Sequence, residues 1–185
     1  MNDIIVGMGE ALWDVLPEGK KIGGAPANFA YHVSQFGLPS CVVSAIGDDK
    51  LGAEIIENFN AKGLQQLIET LPYPSGTVQV DIDQAGIPQY EIKENVAWDN
   101  IPYTARLENL AQRTRAVCFG SLAQRSVVSR TTINRFLDAM PHDNDPLVVF
   151  DVNLRQGFYN KDILCNSMKR CNILKINDEE LVTVS

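Results

Sequence analysis

Four short stretches carry side chains able to do chemistry. The first, GGAPANFAYHVSQFG (residues 23–37), sets two glycines, a proline and an asparagine at the entrance of an amphipathic helix. Gly23 and Gly24 can take backbone conformations closed to other residues and let a ligand approach the main chain closely. The helix N-terminus behind them offers unpaired N–H groups and a partial positive charge. Asn28 falls in its first turn, where an amide that both donates and accepts suits a sugar hydroxyl. The same residues equally make a tight turn and a helix cap. The second stretch, GMGEALWDVLPEG (7–19), misses the dinucleotide-binding spacing, because Leu12 stands where GxGxxG needs its third glycine. It sets Asp14 among Leu12, Trp13, Val15 and Leu16. A carboxylate there can accept two hydroxyl hydrogens from a polyol, or be a solvated turn residue.

The third stretch, FDVNLRQGFY (150–159), puts Asp151, Asn153 and Arg155 just past a buried strand. That is where ligands of wound α/β sheets gather. Arg155 can hold a phosphate oxygen through its planar fork, or pair with Asp151 and pin the loop. The fourth, KINDEE (175–180), spaces Asn177 and Glu180 so that they share a face if a helical turn begins there. A carboxylate beside an amide suits hydrated Mg²⁺, which takes few protein ligands, and it equally suits an acid-rich helix cap.

The elements that must position these residues follow from hydrophobic patterning. DIIVGMG is a short apolar run ending in glycine, so it reads as a buried first strand. The helix after Gly24 has Pro26 in its first turn, apolar Phe29, Val33 and Phe36, and Gly37 as a stop. CVVSAIG (41–47) is a second apolar strand, LGAEIIENFNAKG a helix closed by Gly63, and LQQLIE a third strand. This β-α-β-α-β rhythm predicts a mostly parallel sheet covered by helices. GTVQVDID and IPQYEIKENVAWD then alternate apolar and polar residues across the turn-prone QAG, predicting a hairpin with one wet face. Such a one-faced sheet inside an α/β chain suggests a flap. The wound pattern resumes with TARLENLAQR (helix), RAVCFG (strand) and SVVSRTTINRFLDAM (helix, with Ile133, Phe136, Leu137 and Met140 at helical spacing). PLVVFD (strand), KDILCNSMKR (helix) and CNILKIN (strand) complete it. The chain stops at EELVTVS, where another helix should begin, so it is expected to be cut short.

A chain of 185 residues fits one domain, or one and part of another, and can bury a real core. Its net charge of −7 argues against a nucleic-acid or anionic-membrane partner, either of which needs a basic face. An anionic ligand must then be held by local donors. No apolar run approaches membrane-spanning length, and the first residues lack the pattern of a secretion signal. The four cysteines form no CxxC and read as free or buried thiols of a reducing cytosol. With only His32 and His142, a histidine-rich metal site is excluded. The expected location is cytoplasmic.

Taken in order, the four stretches resemble one family. GGAPANFAYHVSQFGLPSCVVSAIGDDKLG is similar to the N-terminal signature of the ribokinase-like (PfkB) sugar kinases. GEALWDVLPEG, KENVAWDNIP, FDVNLR and an NxxE pattern at Asn177–Glu180 continue the likeness over the whole chain, and GEALWD, VAWD and FDVNLR point to its fructokinase-like branch. The resemblance implies a three-layer α/β/α core with a mostly parallel sheet and a small β-sheet lid built from about 10–22 and 76–98, all within an N-terminal portion spanning 1–185. It implies that Asp14, Gly24 and Asn28 hold sugar hydroxyls, with Gly23–Gly24 as the lid hinge. Ser121 in CFGSLA and Asn153 would also face the sugar. Arg155 would sit near the reacting end and the transferred phosphate. Asn177 and Glu180 would organise Mg²⁺ and the nucleotide phosphates, Glu180 through water. The implied reaction is ATP-dependent phosphorylation of a sugar hydroxyl, fructose first, with 2-keto-3-deoxygluconate, ribose or a nucleoside as alternatives. A homodimer through the β-lid is implied as well. The family pattern has proline where Val152 stands. The family's glycine-rich anion turn and catalytic aspartate have no counterpart before Ser185, so this chain alone is expected to bind sugar without phosphorylating it.

Overall fold

The computed structural model describes residues 4–82, 88–141 and 145–185. The apolar first run becomes β1 (Ile4–Met8), and the chain then leaves the core for two short strands, β2 (Leu12–Leu16) and β3 (Gly19–Gly23). It returns through α1 (Ala25–Gln35), β4 (Ser40–Gly47), α2 (Lys50–Ala61) and β5 (Gln65–Leu71). All eight residues of β4 are buried, as a continuous apolar strand covered on both faces should be. β6 (Gly76–Ile82) and β7 (Pro88–Ile92) follow, then a 3-10 turn at Ala97–Asn100, α3 (Ala105–Ala111) and β8 (Thr114–Gly120). A second 3-10 turn, Leu122–Arg125, leads into α4 (Val127–Ala139), β9 (Leu147–Asp151), α5 (Lys161–Arg170), β10 (Ile173–Lys175) and α6 (Asp178–Val184).

Six strands form one parallel sheet in the order β10-β9-β8-β1-β4-β5. The order reverses between β1 and β8, which opens a crevice at their carboxyl ends. One face packs Ala27 and Ala30 of α1 and Ile55 and Phe59 of α2 against Val42 and Ile46. The other packs Leu107, Ile133, Phe136 and Leu164 from α3, α4 and α5 against Val6, Val43, Val117 and a stacked Phe119–Phe150 pair. The three-layer α/β/α arrangement is therefore present. α1 does not bury the face expected of it. Pro26, Ala27 and Ala30 are buried, whereas Phe36 lies at the helix end and is 84% exposed. The helix backbone lies directly on Gly7 of β1, and only small side chains fit so close an approach.

The second sheet is mixed, in the order β3-β2-β6-β7. β6 and β7 are antiparallel, with Val78 opposite Ile92, as the alternating pattern predicts; the QAG turn itself lies outside the described residues. The expected second strand is too long, because β7 ends at Ile92 and Asn95 turns the chain in the left-handed region (φ 54°). VAWDN then becomes the 3-10 turn that roots the flap in the core. Trp98 is wholly buried, and Asp99 holds both the Val96 N–H and, bidentately at 2.8 and 2.9 Å, the guanidinium of Arg125. Arg125 lies between the Trp98 and Phe158 rings, 4.2 and 4.5 Å from their centroids. All four cysteines are free, with Cys41 and Cys118 buried. No helix among the described residues is long and apolar enough to cross a membrane.

Candidate functional site

Between the small sheet and the carboxyl edge of the large one lies a cavity of about 630 Å³. Val78, Tyr90 and Ile92 of β6 and β7 and Leu122 of the second 3-10 turn form part of its wall, and the charged and amide side chains come from elsewhere in the chain. Asp14 and Lys21 reach it from the flap, Glu10, Gly24 and Asn28 from the flap root and α1, and Asn153, Arg155 and Gln156 from the loop after β9.

The root of the flap explains its glycines. Gly24 has φ 110°, and a Cβ there would stand 2.2 Å from the Glu10 carbonyl oxygen, so no other residue fits. Gly24 is the N-cap of α1 and offers no side chain to cap it. Glu10 supplies the cap from fifteen residues away: the Ala25 N–H donates to its Oε1 at 3.2 Å. Asn28 is exposed on the cavity side, one turn into the helix, with its own N–H bonded to the Gly24 carbonyl. Asp14 stands opposite Lys21 in the β2–β3 pair. Gly23 does not line the cavity but lies beneath it, leaving the space that the Asp14 carboxylate fills.

Burial raises the Asp14 carboxyl above its ordinary value, while the Arg155 guanidinium opposes the shift. Glu10 is displaced further. Only 2% exposed, its carboxyl is pushed up to about 7, chiefly by burial. Backbone N–H groups at Glu10 and Ala25 oppose that shift, the Asp151 charge adds to it, and Arg155 opposes it. Its Oε2 is buried and has no hydrogen-bond partner among the described residues.

The loop after β9 is held from behind. Asn153 and Gln156 both lie in the left-handed region, at φ 39° and 47°. Non-glycine residues there cost on the order of 1 kcal/mol and persist only where the surroundings fix them. Ser121, fully buried, donates its hydroxyl to the Val152 carbonyl at 2.7 Å; it does not line the cavity. The Val152 N–H donates to the Lys175 carbonyl at 3.0 Å, a bond the family's proline could not make. Asn177 and Glu180 form a reciprocal capping box at the start of α6: Glu180 N–H donates to Asn177 Oδ1 at 2.7 Å, and Asn177 N–H to Glu180 Oε2 at 3.1 Å. The other Glu180 oxygen accepts the Leu154 N–H at 2.9 Å, so this pair buttresses the loop that carries Arg155.

The alternative pairing of Arg155 with Asp151 is not formed. Asp151 instead receives Lys175 at 2.9 and 3.1 Å, because β10 lies beside β9 with Lys175 opposite Asp151. Arg155 is exposed, and among the described residues its side chain hydrogen-bonds only the neighbouring Leu154 carbonyl. Gln156 crosses to the flap and donates to the Tyr90 carbonyl.

Asn177 and Glu180 do not fit a direct Mg²⁺ ligand set. Each side-chain oxygen involved already accepts a backbone N–H. Among the described residues, no group of three His, Cys, Asp or Glu is placed to hold a metal.

Three wall residues with charged or amide side chains escape the sequence reading: Glu10, Lys21 and Gln156. Glu10 leaves one trace, an acid flanked by apolar residues at the exit of a buried strand. Lys21 shows only once the register of β2 and β3 is known, and Gln156 leaves no signal.

The model of the pfkB family carbohydrate kinases matches residues 17–185. A protein of Pyrococcus horikoshii named as a sugar kinase is 27% identical over 97% of this chain and 63% of its own length. An Escherichia coli fructokinase is 25% identical over 96% of this chain and 61% of its own. The crystal structure of the Pyrococcus protein superposes with a TM-score of 0.82 at 26% identity, over 98% of this chain and 67% of that one, and that protein has also been crystallised with ATP. The fructokinase of Xylella fastidiosa, at 19% identity, superposes with a TM-score of 0.85 over 100% of this chain and 62% of its own, and so shares the fold. The chain spans 42% to 63% of the length of the curated relatives it matches.

Proposed function

The chain belongs to the pfkB family of carbohydrate kinases, and on that premise we propose that it forms the sugar-binding part of an enzyme that transfers the terminal phosphoryl group of ATP to a sugar hydroxyl, converting fructose to fructose 6-phosphate. One observation carries this reading. Asp14, Gly24, Asn28 and Arg155, from three separate stretches of sequence, meet on the walls of one cavity. Asp14 and Asn28 accept and donate hydrogen bonds to sugar hydroxyls, and Gly24 lets the sugar approach the main chain. The small sheet is the lid over the bound sugar, with Gly23–Gly24 as its hinge. Closure excludes water, which would otherwise take the phosphoryl group. Phosphoryl transfer needs positioning and charge neutralisation more than covalent help, and Arg155 supplies a cation where that charge develops. Asn177 and Glu180 serve by holding the Arg155 loop.

A second reading draws on Lys21 and Arg155. Two cations lining one cavity suit a sugar acid such as 2-keto-3-deoxygluconate better than a neutral ketose. The experiment begins by establishing whether the reading frame continues past Ser185. The protein it encodes is then assayed with ATP against fructose, 2-keto-3-deoxygluconate, ribose and adenosine. Turnover of fructose above the others is expected; preference for the acid establishes the second reading, and no turnover of any sugar removes both. Asp14→Ala is expected to raise KM roughly 10- to 100-fold, the loss of one hydrogen bond to a charged group. KM and kcat both unchanged would show that Asp14 does not hold the sugar.

A further inference from the structure

The Glu10 carboxyl is half used. Its Oε1 accepts the Ala25 N–H at the head of α1, its Oε2 is buried without a partner among the described residues, and Glu10 itself lines the cavity that receives Asp14, Asn28 and Arg155. Buried polar atoms are almost always paired, so an orphan on a residue that lines a cavity marks a place where a ligand atom completes the set. We propose that Glu10 is a ligand-binding residue of this cavity, neutral when the sugar is bound, donating the proton on Oε2 to a sugar oxygen while Oε1 keeps the Ala25 N–H.

This rests on reading the cavity as a sugar site, and it assigns there a donor that the sequence motifs do not supply. The neutral form follows from the surroundings. Burial and the Asp151 charge favour it, and Arg155 and two backbone N–H groups oppose it, leaving the group near neutral pH. The other titratable groups around it are Asp14 on β2, Lys21 on β3 and the buried thiol of Cys118 on β8. Two carboxylates lining one cavity offer a polyol only acceptors. With Glu10 protonated, Asp14 accepts and Glu10 donates, so a single hydroxyl row meets both hydrogen-bond senses. The proton comes from solvent on binding, so affinity is linked to pH.

Isothermal titration of D-fructose, with 2-keto-3-deoxygluconate as a second arm, into the protein that the full reading frame encodes tests this. At pH 7 in two buffers of different ionisation enthalpy, the wild type is expected to take up about half a proton and Glu10→Gln none. Above pH 7.5 the wild-type Kd rises about tenfold per pH unit, while that of Glu10→Gln stays flat, since the amide still donates. Glu10→Leu, which cannot donate, binds at least tenfold more weakly. A Glu10→Gln protein with the wild-type pH slope, or a folded Glu10→Leu protein with wild-type affinity, overturns the proposal. A second readout separates it from the sugar reading itself: the infrared band of a protonated carboxyl, present at pH 6 and removed by Glu10→Gln. Absence of that band while sugar still binds overturns this inference alone. No binding of either sugar overturns the sugar site, and this inference with it.

Discussion

Replacing Glu10 by glutamine should make the fold less sensitive to pH. In the unfolded chain a glutamate titrates near 4.5, and in the fold this one titrates near 7. Between those values the folded state binds the extra proton, so stability falls as pH rises, and the contribution present below 4.5 is gone once pH passes about 7. At about 1.4 kcal/mol per unit the displacement is worth about 3 kcal/mol. Glutamine keeps a carbonyl oxygen for the Ala25 N–H and carries no charge to desolvate. The variant should exceed the wild type by less than about 1 kcal/mol at pH 5 and by up to about 3 kcal/mol at pH 8. Asp14, raised in the same direction, is present in both proteins and cancels in the difference. Asp49, lowered by hydrogen bonds from Ser75, Gly52 and Leu51 that outweigh its desolvation, loses its contribution only as pH falls below the ordinary carboxylate range, outside this window. Urea unfolding at pH 5, 6, 7 and 8, followed by tryptophan fluorescence, measures the difference. The two tryptophans, Trp13 in the flap and Trp98 at its root, are both buried and report the region concerned. Parallel stability curves for the two proteins over that range would refute the argument, because they would mean that Glu10 titrates alike in the folded and unfolded states.

Two other substitutions test the flap root. Gly24→Ala places a Cβ against the Glu10 carbonyl at a φ of 110° and should cost on the order of 2 to 4 kcal/mol in the same urea assay; a loss under 0.5 kcal/mol would show that the turn can relax. Arg125→Met leaves the Asp99 carboxylate, 7% exposed, without its bidentate partner and should cost about 3 to 5 kcal/mol, read as a lowered thermal midpoint; adding Asp99→Asn should recover part of the loss, and no recovery would place the cost in lost ring stacking instead.

What the sequence makes readable here is what depends on local pattern. β4 and β8 stand out as unbroken apolar runs because both their faces are covered, and β6 and β7 as alternating ones because theirs are not. Gly24, Asn28 and Arg155 stand out because each sits near a helix start or past a strand end, where a ligand can approach, whereas Asp14 stands out only as an acid in an apolar run and lies in the middle of β2. The features that escape are decided by neighbours distant in sequence. Asp151 pairs with Lys175 and not with Arg155 because β10 docks beside β9, a choice of strand order that no window of ten residues contains. α1 buries alanines, not its phenylalanines, because the strand beneath it carries Gly7. Glu10 is the sharpest case. Its neighbours in sequence mark only a strand exit, while its chemistry comes from Ala25 at the start of α1 and from Asp151 and Arg155 at the end of β9 and the loop after it. Gly24 carries no capping group, so the helix that shapes the cavity depends on a carboxyl from the other root of the flap. In the proposed lid motion about Gly24, the hydrogen bond from the Ala25 N–H to Glu10 is the contact that would shift.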